Sequence, residues 1–109
     1  MARINEASRA VLHSLSALPP IEQYALADQL RRAVISISLN IAEGSGSSTD
    51  KEFLRFLYMA KKSLFEVLAI LKFIEKIYLK INLEKSFEQI DLVSKILEGL
   101  IKKLKASGK

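Results

Sequence analysis

Gln29-Leu30-Arg31-Arg32-Ala33-Val34-Ile35-Ser36-Ile37-Ser38-Leu39-Asn40-Ile41-Ala42-Glu43-Gly44 decides the fold. Stepping about 100° per residue sorts this stretch into three arcs. Leu30, Val34, Ile37 and Ile41, with Leu26 upstream, fall within roughly 80° of one another, as the core-facing side of a helix does. Gln29, Arg32, Ser36, Asn40 and Glu43 form a narrow polar stripe. Ile35, Leu39 and Ala42 form a third arc, apolar and on neither of the other two. No charge occurs from Ala33 to Ala42. A helix that is apolar over most of its circumference is buried on more than one side. In a chain of 109 residues the second burial has to come partly from another copy. Ile35, Leu39 and Ala42 are therefore expected at a homo-oligomer contact, joined by further apolar surface such as Phe65, Ile77 and Tyr78.

Outward from this segment the chain reads as helix with three interruptions. Upstream, a helix from about Asn5 to Ala17 puts Ile4, Ala7, Val11, Leu15 and Leu18 on one side, and Pro19-Pro20 stops it. Pro20 also suits the first turn of the next helix, where its missing N–H costs nothing. That second helix is expected to end near Glu43, with Gly44 as a left-handed cap. Gly44-Ser45-Gly46-Ser47-Ser48 is a loop. Thr49-Asp50-Lys51-Glu52 has the capping-box form, Thr49 at the N-cap and Glu52 three residues on. A long third helix, Asp50 to about Leu79, repeats Phe53, Phe56, Leu57, Ala60, Leu64, Leu68, Leu71 and Ile74 at spacings of three and four. Asn82 is a plausible cap for a fourth helix from Leu83 to about Lys105, striped by Phe87, Ile90, Val93, Ile96, Leu97, Leu100, Ile101 and Leu104. No stretch joins period-two alternation over six residues to turn signals at both ends, so no sheet is expected. Short loops between four helices predict an all-α, antiparallel up-down-up-down four-helix bundle. The expected organisation is one domain over residues 1–109, with a frayed basic tail at about 105–109.

Composition removes most kinds of chemistry. Half of the residues are hydrophobic, enough for one core, and there is no cysteine. Disulfides, thiolate metal sites and Cys nucleophiles are thereby excluded. His13 is the single histidine, three residues after Ala10, and it rules out His-rich metal clusters. Ser14, Ser36, Ser38 and Ser63 have no His and acid at suggestive spacing. Gly44-x-Gly46 lacks the Lys-Ser/Thr of a phosphate-binding loop and follows a helix rather than a strand. Phe53, Phe56, Tyr58 and Phe65 read as core and boundary residues before base-stacking platforms. No catalytic residue, metal or cofactor is expected. The chain meets a charge at Arg3 before any apolar run forms, which argues against a signal peptide. Its longest uncharged stretch after Pro20 is far short of the ~20 residues of a membrane span. A cytoplasmic protein with no membrane association is expected.

The net charge is +5, and Lys102, Lys103, Lys105 and Lys109 supply four of those charges without an acid among them, leaving the first 101 residues at +1. A basic tail is a solvated end or a contact for an anionic partner. The polar stripe of the second helix also carries two readings. It is a network in which Ser36 and Asn40 bond to neighbours and Arg32 pairs with an acid such as Glu43 of its own or an adjacent chain. Or it borders a ligand or nucleic-acid surface, with Arg31 and Arg32 on phosphates.

Further motifs follow one another in order: Leu18-Pro19, Glu22, Gln29-Leu30-Arg31-Arg32-Ala33, Ser36-Ile37, Asn40-Ile41-Ala42-Glu43-Gly44, Glu52-Phe53-x-Arg55-Phe56-Leu57 and Ala60-x-x-Ser63-Leu64-x-Glu66. Over about Leu18 to Leu71 the chain resembles the small four-helix-bundle proteins encoded in intervening sequences of bacterial 23S ribosomal RNA genes, distantly related to accessory proteins of diversity-generating retroelements. The resemblance implies a bundle that assembles as a ring-like homopentamer and has no enzymatic activity. In the retroelement relatives it implies binding of reverse transcriptase and nucleic acid through basic surfaces. The chain departs from the family pattern in having Ser45, Ser47 and Ser48 where a basic loop residue is common, and Lys62 where Gly is common.

The expected function is a non-enzymatic oligomeric adaptor for structured RNA or an RNA-handling protein. Arg31, Arg32, Arg55, Lys61, Lys62, Lys102, Lys103 and Lys105 are the candidate nucleic-acid contacts. The alternative is a protein-interaction scaffold with no nucleic-acid contact, which suits the near-neutral body of the chain.

Overall fold

Each of the four apolar-striped segments is a helix. The structure is a computed structural model that describes residues 2–14 and 20–107, comprising α1 (Ala2–Ser14), α2 (Pro20–Ser45), α3 (Asp50–Ile77) and α4 (Glu84–Ser107). No strand occurs among the described residues. The expected end of the first helix at Ala17, with Leu15, Leu18 and Pro19, lies outside the described residues, as does Lys109. α1 begins at Ala2, three residues before the expected start at about Asn5, and α2 begins at Pro20 as its fixed φ favours.

The junction of α2 and α3 corrects one expectation. α2 does not stop at Glu43: it runs through Gly44 to Ser45, and no described glycine has positive φ. Gly44 is there for space rather than for a left-handed cap. A Cβ on it would lie 2.7 Å from Phe53 Cδ1 and 2.9 Å from Phe56 Cβ, so only glycine lets the end of α2 approach the first turns of α3. The last carbonyls of α2 find other partners. Ser45 Oγ donates to the Ala42 carbonyl at 2.8 Å, and the Gly46 and Ser47 amides donate to Glu43 and Gly44 at 3.2 and 3.0 Å.

α3 starts where the sequence places it. Thr49 is extended at φ −135°, ψ 154°, and its hydroxyl accepts from the Glu52 amide at 3.1 Å. Only this half of the capping box forms, because the Glu52 carboxylate turns to Arg55 instead of back to the cap. α3 ends two residues short of Leu79, at Ile77, with the Tyr78 amide closing the last turn on the Ile74 carbonyl. Asn82 Oδ1 accepts from the Glu84 amide at 2.9 Å and so caps α4, which extends past Lys105 to Ser107.

The helices pack in chain order around one core. α2 lies on α3, α3 on α4, α4 on α1 and α1 on α2, whereas the α1 and α3 backbones, and those of α2 and α4, lie diagonally across the core among the described residues. Gly44 beside Phe53 and Ser36 beside Ser63 run in opposite senses along α2 and α3. Lys61 with Glu98, and Asp50 with Ser107, do the same for α3 and α4. The result is a rod of 49 × 21 × 21 Å. Its core contains Ile4, Ala7 and Val11 of α1, Leu30, Ala33, Val34 and Ile37 of α2, Leu57, Ala60, Leu64, Val67, Leu71 and Ile74 of α3, and Ile90, Val93, Leu97 and Ile101 of α4. Burying each leucine fully contributes roughly 1.5–3 kcal/mol. Phe53, Phe56 and Leu68, expected in the core, are half-buried at its edge, and Ile96 is exposed. Ala33, Val67 and Ser86 are buried although the apolar stripes passed over them; Ser86 is accommodated because its hydroxyl donates to the Ala10 carbonyl of α1 at 3.2 Å.

Candidate nucleic-acid interface

The polar stripe of α2 meets α3 at its middle. Ser36 and Ser63 hydroxyls bond at 2.8 Å, and Asn40 Nδ2 donates to the Ser36 carbonyl at 2.8 Å and to its hydroxyl at 3.1 Å. Gln29 and Glu43 face solvent. Within the chain Arg32 pairs with Asp28 at 3.0 Å rather than with Glu43, and that pair is largely solvated. Eleven residues along one helix are about 16 Å, beyond a direct bridge between Arg32 and Glu43. The structure thus joins Ser36, Asn40 and Ser63, and leaves Arg32 with a local helical partner.

The apolar arc of α2 faces outward in the chain: Ile35 is 48% and Leu39 55% exposed, and Ala42 is exposed too. Ser63, on the α2 side of α3, fixes which α3 residues lie nearest this arc. Met59, Phe73 and Ile77 fall on the solvent edge of that side, and all three are exposed. Phe65, which the sequence reading grouped with the arc, lies on the opposite flank of α3, and Tyr78 is half-buried.

The candidate cations are spread over α2, α3 and α4. Arg31 and Arg32 are exposed on α2, which lies diagonally across the core from α4. Two of the lysines, Lys61 and Lys105, lie where α3 meets α4. Lys61 pairs with Glu98 at 2.7 Å and its ammonium lies 5.9 Å from the centre of the Phe65 ring. Lys105 lies 5.6 Å from the centre of the Tyr58 ring, and its ammonium is held above the usual lysine range, first by hydrogen bonding with the Tyr58 hydroxyl and then by charge. Lys62, Lys102 and Lys103 are exposed, and none has an ion-pair partner among the described residues. Arg55 is engaged locally: its Nε donates to Glu52 at 3.1 Å, and its guanidinium lies 4.8 Å over the Phe56 ring. The hydrogen bond from Arg55 holds the Glu52 carboxyl below its usual value.

Two aromatic residues of α3, expected at core or boundary positions, lie on its outer side. Tyr58 and Phe65 are 42% and 57% exposed. They share a stripe of α3 with Lys51, Lys62, Ala69, Lys72 and Lys76, all exposed. The steps 58, 62, 65, 69, 72 and 76 alternate four and three, the spacing of one helix face. That signal was present in the sequence, but the heavier apolar stripe of the same helix concealed it.

Among the described residues no group of His, Asp and Glu is placed to hold a metal ion, and no helix is long and apolar enough to cross a membrane. His13 lies on the exposed side of α1. The fold and surface define a small all-α protein: four helices around one core, with its chemistry distributed over helix faces. The chain belongs to the 23S rRNA-intervening sequence protein family, which it matches over residues 3–102. No curated protein is significantly similar to it.

Proposed function

We propose that this protein is a non-enzymatic adaptor, an up-down antiparallel bundle that assembles into a ring-like homopentamer and binds structured RNA. The observation that supports RNA is the charge distribution. Lys51, Lys62, Lys72 and Lys76 line one face of α3 with no ion-pair partner among the described residues, and Lys61 and Lys105 flank them. Unpaired cations on one face are the electrostatic footprint of a polyanion partner. The family name, 23S rRNA-intervening sequence protein, makes ribosomal RNA the first ligand to try.

RNA binding measured across salt concentrations tests it. Each phosphate contact adds about 0.7–0.9 to the slope of log affinity against log salt. Replacing Lys102, Lys103 and Lys105 with alanine should flatten the slope, whereas Arg31→Ala with Arg32→Ala should change it less, because Arg32 is already paired with Asp28. An affinity independent of salt, or no binding at all, refutes the reading.

A protein scaffold with no nucleic-acid contact is the second reading. It is favoured by the +1 charge of the first 101 residues and by the solvent-facing Ile35, Leu39 and Ala42.

A further inference from the structure

Resting on the RNA reading above, we propose that the Lys51–Lys76 face of α3 is a site for an unpaired, single-stranded stretch of the RNA, with bases stacked on Tyr58 and Phe65 and phosphates on the lysines between and beyond them. Two solvated aromatic rings in a row of lysines do more than neutralise phosphates. In a duplex the faces of the bases are hidden in the stack, and only an unpaired strand can present them to a side chain. Base stacking on exposed aromatics within a cationic groove is how proteins hold single strands without reading sequence.

The dimensions fit a strand lying along the helix. Tyr58 and Phe65 are seven residues apart, about 10 Å, which is roughly three stacked base steps. Lys51 to Lys76 spans about 37 Å, a length suited to a single-strand site of the usual ~4–16 nucleotides.

The charges around the stripe favour a polyanion over another copy of this face. Residues 51, 58, 62, 65, 69, 72 and 76 include no acid. Of the nearby carboxylates, Glu98 is engaged by Lys61 at 2.7 Å and Asp91 by Lys95 at 3.1 Å, while Glu66 and Glu75 of α3 and Glu84 and Glu88 of α4 are exposed outside the stripe. Two copies of this face brought together would oppose lysine to lysine. Each ring also has its own ammonium, Lys105 at 5.6 Å from Tyr58 and Lys61 at 5.9 Å from Phe65. These distances are near the outer limit of a useful cation–π contact. A base can therefore displace the ammonium from the ring, and the lysine then lies beside that nucleotide's phosphate.

The test is fluorescence anisotropy of the full chain with a labelled 12-nucleotide single-stranded RNA and with a fully paired hairpin of the same base composition. The single strand should bind more tightly than the hairpin. Tyr58→Ala with Phe65→Ala should weaken single-strand binding about tenfold or more while leaving the salt slope nearly unchanged. Lys62→Ala with Lys72→Ala and Lys76→Ala should reduce that slope by about 2. Phe65→Trp should retain binding and Phe65→Leu should not, with circular dichroism reporting the same helix content in every variant. Equal binding by wild type and the double ring variant, retention of affinity by Phe65→Leu, or preference for the hairpin overturns this inference and leaves RNA binding standing. Failure of the wild type to bind either RNA, or competition won only by an acidic protein, overturns both.

Discussion

Gly44 and Gly99 are both helical glycines, and their surroundings give opposite expectations. Helix propensity alone favours alanine over glycine by about 0.8–1.0 kcal/mol. At Gly99 nothing lies within 4 Å of an added Cβ, so Gly99→Ala should raise the unfolding free energy from chemical denaturation by close to that amount. At Gly44 the same methyl meets Phe53 Cδ1 at 2.7 Å and Phe56 Cβ at 2.9 Å. The Phe56 Cβ cannot swing away as a side-chain tip can, so α2 and α3 must separate. Overpacking of this kind costs about 1–3 kcal/mol, and Gly44→Ala should lower the midpoint despite its better propensity. Glu52 supplies a pH expectation at the same scale. Hydrogen bonding from Arg55 is the largest cause of its lowered value, with burial opposing and the charge of Arg55 assisting. A depressed carboxyl stabilises the fold above its ordinary value of 4.5, and that contribution is lost as pH falls through the lowered midpoint. An NMR titration should find Glu52 below 4.5 in the wild type and closer to it in Arg55→Ala.

Among the elements, α3 depends most on local signals. Its first turn is organised by the Thr49 hydroxyl, by the acids Asp50 and Glu52 at the positive end of the helix dipole, and by the Glu52–Arg55 pair. Thr49→Ala removes the cap and should cost about 1 kcal/mol in chemical denaturation, whereas Thr49→Asp should retain most of it. The solvated Glu52–Arg55 pair contributes little beyond this, as exposed ion pairs generally do. α2 is different. Its central segment alternates Ile35, Ser36, Ile37, Ser38 and Leu39, and its residues are held in place by packing and by the Ser36–Asn40–Ser63 bonds rather than by ion pairs along most of its length. The helix is therefore stabilised chiefly through its contact with α3.

For the whole molecule, the solvent-facing arc of α2 is the feature a monomer does not use. Burying Ile35 and Leu39 against another subunit removes about 200 Å² of apolar surface, worth roughly 5 kcal/mol before association costs of about 4–15 kcal/mol. These two residues alone do not hold a ring together. Met59, Phe73 and Ile77, exposed on the adjoining side of α3, supply the additional surface the proposed assembly needs. Leu39→Glu places a charge in that contact while leaving Leu30, Val34 and Ile37 in the core. The variant should keep its helix content and scatter light as a smaller species than the wild type. A wild type that is monomeric at micromolar concentration overturns the assembly.

The four helices were legible without any tertiary information, because Pro20, Thr49 and Asn82 mark starts by local chemistry and apolar residues recur at spacings of three and four between them. The core arc Leu30–Val34–Ile37 was legible for the same reason. What remained hidden depends on distances between segments remote in sequence. Gly44 reads as a cap from its position after a helix, and only the proximity of Phe53 and Phe56 shows that it makes room for a neighbour. Ser86 looks like a polar interruption until the Ala10 carbonyl of α1 is placed beside it. Arg32 had several acids to choose from, and helix geometry selected Asp28. The candidate interface divides in the same way. Local periodicity sets which residues of α3 share a face, and so it put Tyr58, Lys62, Phe65, Lys72 and Lys76 together from the outset. Which face is turned to solvent is decided by where α2 and α4 pack, and that packing left those rings and lysines outside while it enclosed Leu57, Leu64 and Leu71.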